Sequence, residues 1–401
     1  MAQPLPRLRM NLDFMPSPLE DRPGLLIRDS YGYSESTLII PPPLVSCLEC
    51  FDGEQTELEL RAELVRITGE LDVSRIESHL IETLERAGFL ENETYERMRE
   101  ARHRAFAEQA SREPAHAGTG YPDDLEEARQ TLSEYMAGSM PPPERLAVAI
   151  AAPHVSPFGG YESYRDAYGA LRNDRDATYI ILGTSHYGPP DRFGLTRKNY
   201  LTPFGQARTN EALLKELEKQ PAAIMEDYSH AIEHSIEFQV LFLQHLFGPD
   251  VSVLPVLCGA FASSLYNAGK PEDDEDVRRF FDALGEIGAR EKNVRWVLGI
   301  DMAHMGARYG DRFAAISNAG EMLTVADRDK ARIDSVVKGD ADGFWDQVQE
   351  NSDDLKWCGS APLYTFLRAQ PGLRGELRRY QQWNIDSQSV VSFAAMSFSK
   401  C

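Results

Sequence analysis

Three apolar segments that each run into polar, metal-capable residues most constrain the fold of this chain. They are Leu146–Ala152 with His154, the stretch Thr178–Gly188 with His186, and Val294–Ile300 with Asp301 and His304. A continuous apolar run bounded by turn residues is typical of a strand buried on both faces of a parallel sheet. Because ligand crevices of open α/β sheets lie at the carboxyl ends of strands, we expect these four side chains at one sheet edge.

Size and charge narrow the classes of protein to which the chain can belong. With 401 residues it is too long for one ordinary core, so we expect a small and a large domain. Its hydrophobic content of 42% and charged content of 26% are those of a soluble globular protein. The formal net charge of −21 would repel phosphate backbones, so we expect no nucleic-acid partner.

Targeting signals and cysteine usage favour a cytoplasmic protein. Arg7 and Arg9 are not followed by an apolar segment, so we expect no signal peptide in Met1–Phe14. No run approaches the roughly 18 apolar residues of a membrane span, so we expect no membrane partner. The 5 cysteines are irregularly spaced, which favours a reduced compartment over a disulfide framework. We interpret Cys47 and Cys50, one helical turn apart among leucines, as core residues.

A small N-terminal domain is predicted over roughly residues 20–100. The short apolar runs Leu25–Asp29 and Ser36–Ile40 predict a β-hairpin, and Thr56 and Ser74 each begin a predicted helix. The hairpin, a Phe-Asp-Gly…Thr turn, two helices and a terminal Ala-Gly-Phe-Leu together resemble the PqqD-like winged-helix domains. Such domains bind peptides or partner proteins, so the resemblance implies a docking domain of the α+β class.

The remaining chain divides into a linker and a large domain. We assign 1–104 to the docking domain and 105–143 to a linker, because the latter is polar and rich in Ala, Glu, Gly and Pro. His103 and His116 lie in such polar surroundings that we assign them no role. From 144 to 401, strands alternate with helices, which predicts an α/β domain.

Two further residues join the candidate site. His234 stands in the sequence Glu-His-Ser-Ile-Glu on a helix predicted from about Ile232 to Phe247, where it would share a face with Glu237. Cys358 precedes a predicted helix that Ser360 can cap, and a helix N-terminus favours the thiolate. Taken singly, each of these residues also has a structural explanation, because a buried cysteine before a helix and a hydrogen-bonded histidine in a loop are both common. Several histidines in one domain are harder to explain, because imidazole buries poorly without partners.

Several motifs of the large domain match one known family in order and approximate spacing, from about 145 to 398. These motifs are Ala-Pro-His154, Ile-Leu-Gly-Thr-Ser-His186, Glu-His234-Ser-Ile-Glu, Leu-Pro-Val-Leu-Cys-Gly259, Asp301-Met-Ala-His304 and Cys358-Gly359. Together they resemble the Memo family, whose bacterial members are called protein B of the AmmeMemoRadiSam system. That family shares its fold with class III extradiol dioxygenases, which are non-haem iron enzymes.

The resemblance implies a role for each candidate residue. His154, His186 and Cys358 would hold a metal ion, and His234 would stand at the position of an acid/base histidine. Asp301 and His304 would orient an imidazole or bind substrate. Two imidazoles and one anionic ligand with open positions are typical of Fe(II), and the thiolate makes copper or zinc competitive.

Two functions remain open from the sequence. The first is a metal-dependent redox enzyme acting on a small organic or peptide substrate, with the docking domain binding a protein of a radical-SAM pathway. The alternative is a non-catalytic protein that keeps the dioxygenase-like cleft for peptide or partner recognition, or for carrying metal. Observed turnover or an open coordination position would discriminate between them.

Overall fold

A computed structural model of the chain describes residues 3–19, 21–138, 147–171 and 176–400. Its contacts group into two units, Met1–Glu108 and Gln109–Cys401. The segment 105–143, expected to be a linker, crosses this division, and its described residues from Gln109 onwards group with the second unit. The expected start of the large domain at 144 lies outside the described residues.

The first unit combines a small antiparallel sheet with helices. Its elements are β1 (Asp13–Pro16), β2 (Leu25–Arg28), β3 (Thr37–Ile40), a 3-10 helix (Pro42–Cys50), α1 (Glu57–Thr68), α2 (Ser74–Arg86) and α3 (Glu93–Glu108). The sheet order is β1-β2-β3, and the antiparallel pair β2–β3 is the predicted hairpin. Thr56 caps α1: its hydroxyl accepts the Leu58 N–H, and the Glu59 carboxylate accepts the Thr56 N–H, as in a capping box.

The two cysteines of the first unit are core residues, as their spacing indicated. Cys47 and Cys50 are buried free thiols in a cluster with Leu60, Leu64 and other apolar side chains. Burial raises the pKa of Cys47 to about 11, so this thiol stays protonated and unreactive near neutral pH.

The second unit is built from strands that alternate with helices. Its strands are β4 (Ser111–Arg112), β5 (Ala149–Ala152), β6 (Thr178–Thr184), β7 (Phe193–Leu195), β8 (Asn199–Thr202), β9 (Gly205–Thr209), β10 (Ala223–Met225), β11 (Ser252–Cys258), β12 (Val294–Gly299), β13 (His304–Gly306), β14 (Leu373–Asp386) and β15 (Ser389–Lys400). Its α-helices are α4 (Leu125–Met136), α5 (Pro157–Tyr168), α6 (Glu211–Leu217), α7 (Ser229–Ile232), α8 (Glu237–Phe247), α9 (Ala262–Asn267), α10 (Glu275–Arg290), α11 (Glu321–Val337), α12 (Ala341–Gln349) and α13 (Ser360–Ala369). Short 3-10 helices cover Pro271–Asp273, Ala307–Tyr309 and Glu350–Ser352.

One large mixed sheet organises this unit, which confirms the predicted α/β class. Its main path is β13-β15-β5-β12-β6-β11-β9-β8-β4, with β5, β12, β6 and β11 mutually parallel at the centre. Alternate residues of β6 enter two different core clusters, Ile180 and Leu182 in one and Tyr179 and Ile181 in the other. The strand is therefore buried on both faces, as its continuous apolar run predicted.

Two local predictions are wrong. The helix predicted from about Ile232 to Phe247 is interrupted, because α7 ends at Ile232 and α8 begins at Glu237. His234 thus lies between helices, where the Glu233 carboxylate accepts the backbone N–H groups that a continuous helix would use. Ser360 does not cap α13, since its hydroxyl donates to the Trp357 carbonyl.

Within the described ranges, the structure contains no helix that is both long and apolar enough to cross a lipid bilayer.

Candidate metal centre

The strand register brings distant candidate residues to one sheet edge. The last residue of β5 and the penultimate residue of β6 both lie opposite Gly299, the last residue of β12. His154, His186 and Asp301 follow these positions by two or three residues. Three side chains from separate parts of the chain therefore meet where parallel strands end.

Three imidazoles and one thiol form the centre of this edge. The ring centroids of His154, His186 and His234 lie 5.0 to 5.1 Å apart in all three pairs. The Sγ atom of Cys358 is 3.2 Å from Nε2 of His154. Donor atoms of His154, His186 and Cys358 lie within 4.8 Å of one another, and a second such group shares His186 with Glu233 and His234.

Hydrogen bonds set the tautomers of the two predicted ligand histidines. Nδ1 of His154 is 2.9 Å from the Gly299 carbonyl oxygen, and Nδ1 of His186 is 3.0 Å from the Glu233 carboxylate. Since carbonyl and carboxylate oxygens only accept, each Nδ1 carries the proton and donates. In the neutral form of each ring the lone pair therefore lies on Nε2, which is the arrangement that metal-binding histidines use. Burial opposes a charge on His186, but the neighbouring Glu233 raises the pKa of His186 well above its usual range, so a metal ion that binds there would displace the Nε2 proton.

These residues fit a transition-metal ion. Metal–nitrogen bonds of about 2.0 Å and metal–sulfur bonds of about 2.3 Å require donors of one ion to lie within about 4.5 Å, close to the observed separation. Burial raises the pKa of Cys358, but the imidazoles of His154 and His186 outweigh burial and bring it to about 7. The thiolate, which is the form that binds metals, is therefore populated at neutral pH.

Glu233 organises the histidine cluster although it is not a predicted site residue. Its carboxylate is fully buried, contacts Nδ1 of His186 and accepts the backbone N–H groups of His186, His234 and Ser235. Burial opposes its charge, but the neighbouring His186 and these hydrogen bonds hold the pKa of Glu233 well below its usual range. Glu233 is therefore the buried anion that orients two of the imidazoles.

His234 is the cluster histidine suited to proton transfer. Its side chain is 26% exposed, whereas that of His154 is 1% exposed. Desolvation of the imidazole and the charges of the neighbouring histidines hold the pKa of His234 well below its usual range, although Glu233 acts to raise it. A neutral, accessible imidazole can accept a proton from a bound molecule.

Asp301 and His304 surround the predicted ligands. One carboxylate oxygen of Asp301 accepts the backbone N–H of His154 at 2.9 Å, and the other lies 3.4 Å from Nε2 of His154. Burial raises the pKa of Asp301 to about 6. His304 donates from Nδ1 to the Met302 and Lys356 carbonyls, so it ties the end of β12 to the loop that carries Cys358.

The loop before α13 holds Cys358 against the sheet edge. The Thr184 hydroxyl donates to the Cys358 carbonyl at 2.9 Å, and the Gly359 N–H donates to the Asp301 carbonyl at 3.0 Å. A Cβ atom on Gly359 would lie 2.6 Å from that same carbonyl oxygen. Only glycine allows this close approach of two backbones.

Comparison with known proteins identifies the family of this second unit. The model of a family described as Memo-like protein matches residues 112–397. The chain belongs to the Memo family. The family resemblance drawn from the motifs around His154, His186, Asp301 and Cys358 is thereby confirmed, whereas the PqqD-like resemblance of the first unit stays a prediction.

Individual relatives extend the comparison beyond the Memo-like region. The chain is 26% identical to a MEMO1 family protein of Aquifex aeolicus over 93% of this chain and 95% of that protein. It is also 26% identical to one of Thermococcus kodakarensis over 72% of this chain and 99% of that protein. A Thermoplasma volcanium relative is 32% identical over 40% of this chain and 63% of that protein. The Aquifex alignment is too long to be confined to the second unit, so it extends into the first.

The Memo-like region contains further site residues that the sequence did not indicate. Arg112 is fully buried, pairs with Glu237 and donates to the backbone carbonyls of His230 and Glu233. Nε2 of His116 donates to the Ile232 carbonyl at 3.0 Å, and the centroid of its ring lies 5.5 Å from that of His234. Both residues come from the segment expected to be a linker. The polar composition of that segment gave no indication that Arg112 would be buried.

Proposed function

We propose that this Memo family protein is a metal-dependent redox enzyme that acts on a small organic or peptide substrate. His154, His186 and Cys358 would hold an Fe(II)-like ion, for which copper or zinc can compete because thiolate is a soft ligand. When bound, the ion supplies a Lewis-acidic, redox-active centre with open coordination positions. The single observation that carries the proposal is the convergence of these three donors within 4.8 Å.

The protein residues around the centre have separate tasks in this proposal. Glu233 keeps Nδ1 of His186 protonated through its hydrogen bond, so that Nε2 stays available as a ligand. Asp301 holds the backbone of His154 through two N–H groups, those of His154 and Val155. His234, neutral and partly exposed, removes a proton from the substrate and returns it to solvent or product.

The test is the metal content of protein purified without oxygen, for the wild type and for His186→Ala, Cys358→Ala and a control, His245→Ala. We expect near-stoichiometric iron or copper in the wild type and the control, and less than a tenth of it in the two ligand variants. Wild-type protein that neither holds metal nor takes up added Fe²⁺, Cu⁺ or Zn²⁺ would overturn the proposal.

A second candidate, a metal-carrying or binding protein without turnover, is favoured by the thiolate itself. A thiolate ligand is oxidisable and suits Zn²⁺ or Cu⁺ better than a carboxylate does. Tight Zn²⁺ or Cu⁺ binding together with no oxygen consumption by the iron-loaded protein would favour this candidate over the enzyme.

We also propose that the first unit docks a peptide or protein partner of a radical-SAM pathway, in the cytoplasm. A cavity of about 510 Å³ in this unit, lined by three tyrosines and by Arg99 and Arg104, supports the docking role. The free thiols of Cys47, Cys50 and Cys258 support a reducing compartment. A photocrosslinker placed at Arg104 in the full chain tests docking: we expect it to capture a purified radical-SAM partner, and an Arg22 placement serves as control.

A further inference from the structure

The 3-10 turn Ala307–Tyr309 directly follows β13 and lies beside the candidate metal centre. The rings of Tyr309 and His304 are nearly perpendicular, with 5.0 Å between their centroids. His304 in turn donates from Nδ1 to the carbonyl of Lys356, in the loop that carries Cys358. The turn therefore places its last side chain at the rim of the centre.

Backbone hydrogen bonds hold this turn against the large sheet. The Ala307 N–H donates to the Gln388 carbonyl at 3.2 Å, and the Arg308 N–H donates to the Ser389 hydroxyl at 3.1 Å. Both acceptors lie where β15 begins. The backbone of the turn is therefore fixed before a ligand arrives, which lowers the entropy that binding costs.

The Tyr309 hydroxyl is a donor that has no acceptor in the described part of the chain. Its oxygen is accessible to solvent, because it is not one of the buried polar atoms that lack a partner. The ring is partly exposed and packs against an apolar cluster that includes Val155 and Phe393. Burial raises the pKa of Tyr309, so the phenol stays protonated near neutral pH and can donate a hydrogen bond to a bound molecule.

Arg308 is a cation of this rim without an acidic partner. It is exposed, and within the described ranges its side chain forms no ion pair and no hydrogen bond. Lys356, which lies two residues before Cys358, is by contrast paired with Asp311 at 2.8 Å. The charge of Arg308 acts to lower the pKa of Tyr309, so the guanidinium and the phenol lie near each other. Together they offer N–H and O–H donors to one anionic group.

Acidic groups near the same phenol limit the charge that a bound molecule can carry. In addition to burial, the charges of Asp301, Cys358 and Asp386 act to raise the pKa of Tyr309. The single guanidinium of Arg308 can offset one negative charge of a ligand. The second charge of a phosphate monoester would be repelled by the acidic groups, so a singly charged carboxylate fits this rim better.

We propose that Arg308 and Tyr309 bind a carboxylate group of the substrate, so that the centre acts on molecules that carry a carboxylate. This inference rests on the proposed function, because it names the substrate class of the same centre. Arg308 supplies the opposite charge, and Tyr309 supplies a neutral donor that a carboxylate oxygen accepts. A carboxylate held there leaves the rest of the substrate beside His304, at the edge of the predicted metal site.

Three probes of similar shape test the assignment in the full chain. 4-Fluorobenzoate carries the carboxylate, 4-fluorobenzamide is its neutral counterpart, and 4-fluorophenyl phosphate carries two charges. Fluorine NMR of each probe gives its affinity, first for metal-free protein and then for protein with added Zn²⁺. We expect 4-fluorobenzoate to bind the metal-free wild type about fivefold tighter, or more, than either of the other two probes.

Four variants complete the experiment. Arg308→Gln should weaken 4-fluorobenzoate about fivefold and leave 4-fluorobenzamide unchanged, whereas Arg308→Lys keeps the charge and should keep most of the preference. Tyr309→Phe removes the O–H donor and should weaken 4-fluorobenzoate about threefold. Arg279→Gln, at an exposed position on α10, is the matched control and should bind all probes like the wild type. A thermal melt of each variant within a few degrees of the wild type verifies that it is folded.

The outcomes separate this inference from the proposed function. A preference for 4-fluorobenzoate that depends on Arg308, in a chain that takes up no metal, would support the carboxylate site while the metal proposal fails. A preference that Arg308→Gln leaves intact, or that appears only with added Zn²⁺, would overturn the inference even if metal binds. The carboxylate would then bind elsewhere or directly to the ion. Tighter binding of 4-fluorophenyl phosphate, or no preference at all, would overturn the carboxylate class.

Discussion

Glu233 shows how one buried carboxylate can determine the chemistry of several neighbours. It accepts hydrogen bonds from the His186 ring and from three backbone N–H groups, and its side chain is fully buried. A carboxylate behind a histidine fixes the tautomer of the ring and raises its basicity as a ligand. We therefore expect the metal affinity of the proposed centre to depend on Glu233, which is outside the predicted ligand set.

The first prediction concerns this carboxylate. Glu233→Gln removes the charge while it keeps the side-chain volume, so we expect metal affinity to fall by about 10- to 100-fold. Competition with a chromogenic chelator measures the change. Glu286→Gln, at an exposed position on α10, is the matched control and should bind like the wild type. An affinity for Glu233→Gln within twofold of the wild type would contradict the role of this residue.

The second prediction concerns Cys358 in metal-free protein. Because its pKa is about 7, the rate of alkylation by iodoacetamide should rise with pH with a midpoint near 7. Burial raises the pKa of Cys258 to about 12, so that thiol should stay unmodified, and a Cys401→Ser background removes the terminal thiol. In His154→Ala the midpoint should move up towards about 8.5, the ordinary thiol value.

The same pKa has a consequence for stability. The folded state lowers the pKa of Cys358, so its thiolate stabilises the metal-free fold fully above the ordinary thiol pKa of about 8.5. This contribution decreases as the pH falls through about 7. Chemical denaturation should therefore show the wild type losing stability between pH 9 and 6 relative to Cys358→Ser, and a constant difference would contradict the assignment.

At the scale of elements, the loop between α12 and α13 positions Cys358 beside the ends of strands β6 and β12. Trp357 donates its Nε1–H to the buried Asp329, and Gly359 bonds to the backbone after β12. Asp329 also accepts hydrogen bonds from Tyr380 and Ser392, so it joins this loop to the strands β14 and β15. The position of the thiol is thus determined by several elements at once.

The third prediction tests this loop. In Gly359→Ala the added Cβ would lie 2.6 Å from the Asp301 carbonyl oxygen and 2.7 Å from the Ile300 Cβ. We expect a loss of about 1 to 3 kcal/mol in the free energy of unfolding, together with weaker metal binding, because the backbone must shift. Gly372→Ala is the control, since a Cβ there meets nothing within 4 Å. Unfolding by urea and metal titration measure both effects.

At the scale of the whole molecule, the first and the second unit have separate hydrophobic cores. The core of the first unit includes Leu60 and Leu64 of α1, and the clusters on the two faces of the large sheet belong to the second unit. Units with their own cores can unfold as separate cooperative transitions.

The fourth prediction follows from these separate cores. Leu60→Ala removes a fully buried side chain of the first unit and should destabilise that unit by about 2 to 5 kcal/mol. Calorimetry should show two unfolding transitions, of which one has a lower midpoint temperature than in the wild type and the other the same midpoint temperature. Metal uptake should be unchanged. Leu58→Ala, on the same helix but 66% exposed, should leave both transitions in place. A single transition that moves as a whole would contradict independent unfolding.

Much of the architecture follows from local patterns in the sequence. The apolar runs of β5, β6 and β12 predicted buried strands, and the capping residue Thr56 predicted the start of α1. These features depend on nearest-neighbour chemistry, such as caps and the alternation of apolar runs with turns. The polar residues at the strand ends could therefore be identified as site candidates before any contact was known.

What the sequence determined by itself is the identity of the strand-end residues and of Cys358; what the tertiary structure decided is their common location and their partners. Only the sheet order, with β12 between β5 and β6, places Asp301 beside His154. Only folding brings Cys358 to His154 across 204 positions. The interruption at Glu233 and the burial of Arg112 likewise depend on long-range hydrogen bonds, which override local helix and linker preferences.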